Sequence, residues 1–255
     1  MTTVVSIHSF RGGTGKSNTA SNVAAQLAAS GARVAVVDTD IQSPGIHVLF
    51  GFSDDLDHTL NDYLWGKIPV EEAAHDVTSV IAANTPIAEG GALYLVPSSM
   101  KAGDIARVLR EGYDVGTLND GFRDLARALK LDYLLIDTHP GLNEETLLSI
   151  TISDILLLIL RPDRQDFQGT AVTVDVARKL DVPALFLIVN KVPGGVDVED
   201  LREQMTTAYG AEVAAVLPLS EEVVQNASGG LFALTSPDHP WSEQIRLVAD
   251  CVRNS

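Results

Sequence analysis

A chain of 255 residues, 45% hydrophobic and 20% charged, can bury one large core and lacks the polar bias of a disordered segment. Its 18 basic and 34 acidic residues give a formal charge of −16, a field that repels nucleic acid and anionic headgroups and so disfavours non-specific DNA binding and direct membrane binding. The one cysteine, Cys251, excludes an internal disulfide; no apolar run nears the ~20 residues of a membrane span, and no leader pattern follows Met1, so a cytoplasmic location is expected.

The first apolar run, Val4 to Ile7, reads as a strand buried on both faces. It leads into Phe10-Arg11-Gly12-Gly13-Thr14-Gly15-Lys16-Ser17. A helix then spans Lys16 to Ser30, with Ala20, Val23, Ala24, Leu27 and Ala28 as one stripe and Gly31 as its stop. A glycine loop between strand and helix suits phosphate binding. Glycines let successive N–H groups converge on phosphate oxygens, Lys16 brings charge near the β and γ phosphates, and Ser17 can ligate Mg²⁺. Gly12, Gly13, Thr14, Gly15, Lys16, Ser17 and the following Asn18 are the candidate phosphate contacts. Phe10 stands where the usual eight-residue pattern has glycine.

The second strand, Val34 to Val37, runs into Asp38-Thr39-Asp40. A strand-end carboxylate can hold a magnesium-bound water, and a second one near the γ-phosphate can position attacking water. The acidic stretch 54–89 reads as a helical surface excursion with Leu60, Leu64 and Trp65 turned inward. Strand Leu93 to Val96 follows, and then Lys101 to Lys130, whose cations alternate with acids as on mixed, solvated helix faces. Strand Tyr133 to Ile136 ends in Asp137-Thr138-His139-Pro140-Gly141, where His139 reads as a loop histidine in a moving switch. Strands Ile155 to Leu160, Leu185 to Val189 and Val213 to Leu217 complete the set. The last two end in Asn190-Lys191 and Pro218-Leu219; an Asn amide matches the edge of adenine, and a Lys stem can cover the base. Trp241 to Arg253 reads as a helix packed on the domain, since its polar face lacks the cations of a membrane-surface helix.

Alternating strands and helices with short junctions predict an α/β fold: a single doubly wound, mainly parallel sheet covered by helices on both faces, one domain over 1–255. Ligands in such folds bind beyond the carboxyl ends of the strands.

RGGTGKS at 11–17, VVDTD at 36–40, HTLNDYL at 58–64, LYLVPSS at 93–99, DYLLIDTHPG at 132–141, IVNK at 188–191 and LPLSEEVVQNA at 217–227 together resemble the MinD/ParA family of deviant Walker A P-loop ATPases. The resemblance covers nearly the whole chain. It implies ATP/ADP and Mg²⁺ as cofactors, slow partner-stimulated hydrolysis to ADP and phosphate, a homodimer sandwiching ATP, and an unidentified protein partner. It implies further that Arg11, Lys16 and Asp40 are catalytic, with Asp40 positioning the water. Ser17, Asp38, Asp40 and Asp137 form the implied magnesium set, and Asn190, Lys191, Pro218 and Leu219 the base pocket. Arg11 stands where the family has its signature lysine; it keeps the charge and adds a bidentate fork. An ATP-dependent small-molecule ligase, a non-hydrolysing nucleotide sensor and a metal-cluster carrier are the competing readings, the last without paired cysteines.

Overall fold

The computed structural model describes residues 1–226 and 228–255. Its centre is a sheet of β1 (Thr3–His8), β2 (Arg33–Asp38), β3 (His75–Asp76), β4 (Ala92–Val96), β5 (Tyr133–Asp137), β6 (Ile155–Leu160), β7 (Ala184–Val192) and β8 (Glu212–Pro218). They lie in the order β3-β4-β2-β5-β1-β6-β7-β8, and every pairing is parallel except β3 with β4. The doubly wound, mainly parallel arrangement expected from the apolar runs is what forms.

Successive strand residues serve opposite faces, so the apolar runs feed two core layers. Val5, Ile7, Val34, Val36, Leu157 and Ile159 pack with α1 (Lys16–Ala29) and with α11 (Pro240–Asn254) through Ala24, Leu27, Ile245 and Val248. On the other face, Ala35, Val37, Leu134 and Ile136 meet Leu118, Phe122 and Leu125 of α5 (Val115–Leu129). Farther along that face, Leu158, Leu160, Leu187 and Val189 meet Val174 of α7 (Arg164–Lys179) and Leu201 and Met205 of α8 (Val198–Tyr209). Each buried Leu, Ile or Val contributes about 1.5–3 kcal/mol, so the sheet frame is the stiff part of the molecule. Trp241, Ile245, Val248 and Val252 are all buried, as expected of a terminal helix packed on the domain.

The stretch 54–89 differs from a simple helical excursion. It holds α2 (Leu60–Leu64), a 3₁₀ turn at Val70–Ala73, the edge strand β3 and α3 (Thr78–Ala82). Leu60 is buried, but Leu64 and Trp65 are only half-buried. Trp65 is flanked by cations, with Arg107 of α4 (Ala102–Glu111) 4.4 Å and Lys67 4.8 Å from its ring centre. Strand β7 also continues past Val189, through register shifts, so Asn190 and Lys191 lie within it. Of the cations from Lys101 to Lys130, Arg107, Arg123 and Arg127 pair with acids of the same stretch, Glu111, Asp120 and Asp124, and Lys101 pairs with Asp55. The last residue of the 217–227 motif, Ala227, lies outside the described residues. Among the described residues no helix is long and apolar enough to cross a membrane.

Candidate nucleotide-binding site

Strand β1 sits between β5 and β6, where the winding of the sheet reverses, and the glycine loop leaves its carboxyl end. That switch point is where doubly wound sheets bind ligands. Gly13 and Gly15 take φ of 74° and 99°, left-handed values that curl the loop. Gly15 has a second constraint, because a Cβ there would press on the Asn190 amide. The amides from Gly12 to Asn18 donate to no backbone carbonyl among the described residues. Helix α1 begins at Lys16 with no side-chain cap and no acid in its first turn. Free N–H groups and the positive end of a helix dipole therefore face outward together, the arrangement an anion requires.

The acids predicted at the strand ends meet beside this loop. Asp38 and Asp137 are register partners on β2 and β5, each only 1% exposed. Burial, reinforced by Asp137, raises the Asp38 carboxyl well above its ordinary 3.8. Burial raises Asp137 to about 6, with the Ser17 hydroxyl and Lys16 charge opposing the rise. Asp137 Oδ1 is buried without a hydrogen-bond partner among the described residues. A buried, unsatisfied carboxylate oxygen next to a second carboxylate and the Ser17 hydroxyl fits a hard divalent cation and its water.

Asp40 lies at the mouth, with its backbone N–H donating to Asp38 Oδ1 at 3.0 Å. Its carboxylate Oδ1 is 2.6 Å from His139 Nδ1. Beneath them His8 is buried and kept neutral, its pKa lowered to about 3 by burial and by Lys16 and His139. Lys16 is itself buried under the loop.

Arg11 is aimed away from its own loop. Its guanidinium is 3.4 Å from Asp166 Oδ1 and 3.7 Å from Asp163 Oδ1, at the start of α7. Arg161 holds Asp166 in place, with Nε and the backbone N–H donating to Oδ2 at 2.9 and 3.0 Å. Burial opposes ionisation of Asp166, but the Arg161 hydrogen bonds hold its pKa below 3.8. Phe10 also docks on α7, where the absent side chain of Gly169 makes room for its ring.

On the far side of the loop, Asn190 Nδ2 donates to the Thr14 carbonyl at 2.7 Å and Lys191 Nζ to the Gly13 carbonyl at 2.7 Å. Gly15, Asn18, Asn190, Lys191, Pro218 and Leu219 line one cavity of about 250 Å³, joined by Ser220, Val224 and Trp241. A larger cavity of about 960 Å³ opens at the amino ends of β1 and β5, away from every predicted site residue. Its position, opposite the switch point, gives it no part in phosphate binding.

Gly15 and Asn18 of the loop thus share one cavity with Asn190, Lys191, Pro218 and Leu219, while the paired acids Asp38 and Asp137 lie beside Ser17 and Lys16. The sequence reading missed Asp163, Arg161, Asp166 and Gly169, which hold Arg11 and Phe10, and the pairing of His139 with Asp40. The contacts of Asp40 with His139 and of Arg11 with Asp166 join residues 99 and 155 positions apart, with no local pattern to mark them.

A P-loop nucleotide-binding domain is the class that this sheet and loop define. A family model described as the CobQ/CobB/MinD/ParA nucleotide binding domain matches residues 5–232, and the chain belongs to that family. An iron-sulfur cluster carrier protein of Pseudomonas fragi is 28% identical, over 93% of this chain and 80% of its own length. An ATP-binding protein of Methanocaldococcus jannaschii is 26% identical, over 98% of this chain and 87% of its own. The structure of the septum site-determining protein MinD of Pyrococcus horikoshii, complexed with Mg-ADP, superposes with a TM-score of 0.79 at 23% identity, covering 99% of this chain and 96% of that one.

Proposed function

We propose that this chain is an ATP-hydrolysing switch that dimerises when ATP is bound and regulates or positions a cellular assembly through a protein partner. The supporting observation is the convergence of an open phosphate loop, three strand-end carboxylates and an arginine at the loop's outer edge. The loop amides and Lys16 bind the phosphates. Asn190, Lys191, Pro218 and Leu219 bind the base. Ser17, Asp38 and Asp137 are the residues to hold Mg²⁺ and its water, with Asp40 beside them; bound Mg²⁺ neutralises charge on the phosphate oxygens. Asp40 orients the attacking water. Arg11 is 40% exposed, so it can leave Asp166 and reach phosphate across a dimer. An arginine delivered in this way stabilises transition-state charge and raises turnover by about 10³–10⁵.

Sizing the protein with ADP, with ATP, and with ATP for the Asp40→Ala variant tests the reading. ATP should yield a dimer that the variant retains longer than wild type. A monomer in all three states overturns the switch.

The name of the Pseudomonas fragi relative favours a second reading, an iron–sulfur cluster carrier. This chain brings one cysteine, the half-buried Cys251 of α11, to such a role. Iron and sulfide analysis after anaerobic reconstitution separates the two: stoichiometric cluster on wild type, lost in Cys251→Ser, supports the carrier.

A further inference from the structure

We propose that His139 is a positioning residue that sets the carboxylate of Asp40 for the attacking water; this rests on the reading of Asp40 as the group that orients that water. Asp40 lies in the turn after β2, where backbone geometry alone leaves its side chain free to rotate. An ionised carboxylate accepts and cannot donate, so the 2.6 Å contact requires the hydrogen on His139 Nδ1. Oδ1 also accepts from the Ser43 backbone N–H at 3.2 Å. Both contacts fall on Oδ1, which leaves Oδ2 as the oxygen available to a water.

The histidine is itself held from below. Pro140 restricts the backbone of His139 to extended values. On its other side, the Thr138 hydroxyl donates to the Ile7 carbonyl at 2.9 Å and so accepts from Nδ1 of neutral His8 at 2.7 Å. Beyond the proline, the Gly141 N–H donates to the Ser9 carbonyl at 3.1 Å. The turn 138–141 is therefore fastened to the end of β1 and the start of the phosphate loop. Through His139 the orientation of Asp40 is referred to the same backbone that cradles phosphate. Side chains at 23% and 15% exposure are open enough for substitution without a core defect. A displacement of about 1 Å in a water-orienting group costs about 100-fold in rate, so the tether acts on turnover and not on nucleotide binding.

The test measures steady-state ATP hydrolysis and binding of a fluorescent ATP analogue for wild type, His139→Leu, His139→Asn, Asp40→Asn and the His139→Leu/Asp40→Asn double variant. His139→Leu should lower kcat by about 10- to 100-fold with KM and analogue affinity within about twofold of wild type. His139→Asn, whose amide N–H stands near the position of Nδ1, should recover most of that loss. The double variant should be no slower than Asp40→Asn alone, because the histidine acts through the aspartate. Wild-type kcat in His139→Leu beside a strong loss in Asp40→Asn overturns the positioning role alone. So does an equal loss in His139→Leu and His139→Asn. Unchanged turnover in Asp40→Asn overturns the reading of Asp40 on which this rests.

Discussion

Asp38 and Asp137 face each other in register across β2 and β5, so two carboxylates share one buried site at the strand ends. Their proton affinities are raised by burial, Asp137 to about 6 and Asp38 also well above 3.8. The folded chain therefore holds protons here that the unfolded chain has released. This contribution to stability is complete below pH 3.8 and is lost as pH rises through about 6, in steps belonging to the pair. Without nucleotide, the melting temperature of wild type relative to Asp137→Asn should fall between about pH 4 and 7, by an amount equivalent to a few kcal/mol. Calorimetry across that range checks it. Mg²⁺ with ADP should remove most of the difference at pH 7.5, since the cation takes over the compensation of charge.

Arg11 is held by an exposed pair with Asp163 and a closer one with Asp166. The Asp163 pair is a surface pair of about 0–1 kcal/mol, and the buried Asp166 keeps its pairing with Arg161, so Arg11 can leave both for phosphate in a closed site. The contact is a resting place and not a lock. Arg11→Ala should abolish ATP-dependent dimer formation and lower turnover by about 10³, while Arg11→Lys should keep a measurable share of both. Light scattering and phosphate release measure the two effects separately. Unaltered turnover in Arg11→Ala would remove the arginine from the chemistry.

Phe10 and Gly169 form the second attachment of the loop to α7. A methyl group at residue 169 would collide with the Phe10 ring, so Gly169→Ala must move the ring and with it the front of the loop. The cost should be about 1–3 kcal/mol in stability, with weaker ATP binding. Phe10→Gly restores the usual first residue of the loop and removes the ring. The double variant should therefore bind ATP better than Gly169→Ala alone, and a thermodynamic cycle over the four proteins gives the coupling.

What the sequence disclosed and what it hid follow from range. Gly15 and Lys16 were legible at the junction of loop and helix, and Asp38 and Asp137 at strand ends, because the local pattern carries those junctions. The two-residue strand β3 was not, because His75 and Asp76 sit in an acidic stretch and pair only with Leu95 and Tyr94. Asn190 was legible as a residue near a strand end, but its place inside β7 depends on register shifts that hydropathy cannot encode. The fastening of Arg11 to Asp166 joins positions 155 apart and arises only when β6 lies beside β1. Local chemistry is written in the order of residues; the neighbours that restrain it are written in the topology.

The base side offers a test with its own reporter. Asn190 is buried and its Nδ2 donates to the Thr14 carbonyl, so Asn190→Asp sets a carboxylate against a carbonyl oxygen. That leaves two acceptors facing each other, a loss of about 1–3 kcal/mol or more for the charged form. Lys191 is exposed, so water can replace its donation to the Gly13 carbonyl and Lys191→Met should cost less. Trp241 lines the same cavity, and the only other tryptophan is Trp65, which lies among Arg107 and Lys67 on the opposite flank. In a Trp65→Phe background, the emission of Trp241 should change on adding ADP or ATP and give a binding curve. Asn190→Asp should shift that curve to about 10- to 100-fold higher nucleotide concentration, and Lys191→Met by less than about tenfold. Equal shifts for the two variants would mean that the buried amide has no special hold on the loop.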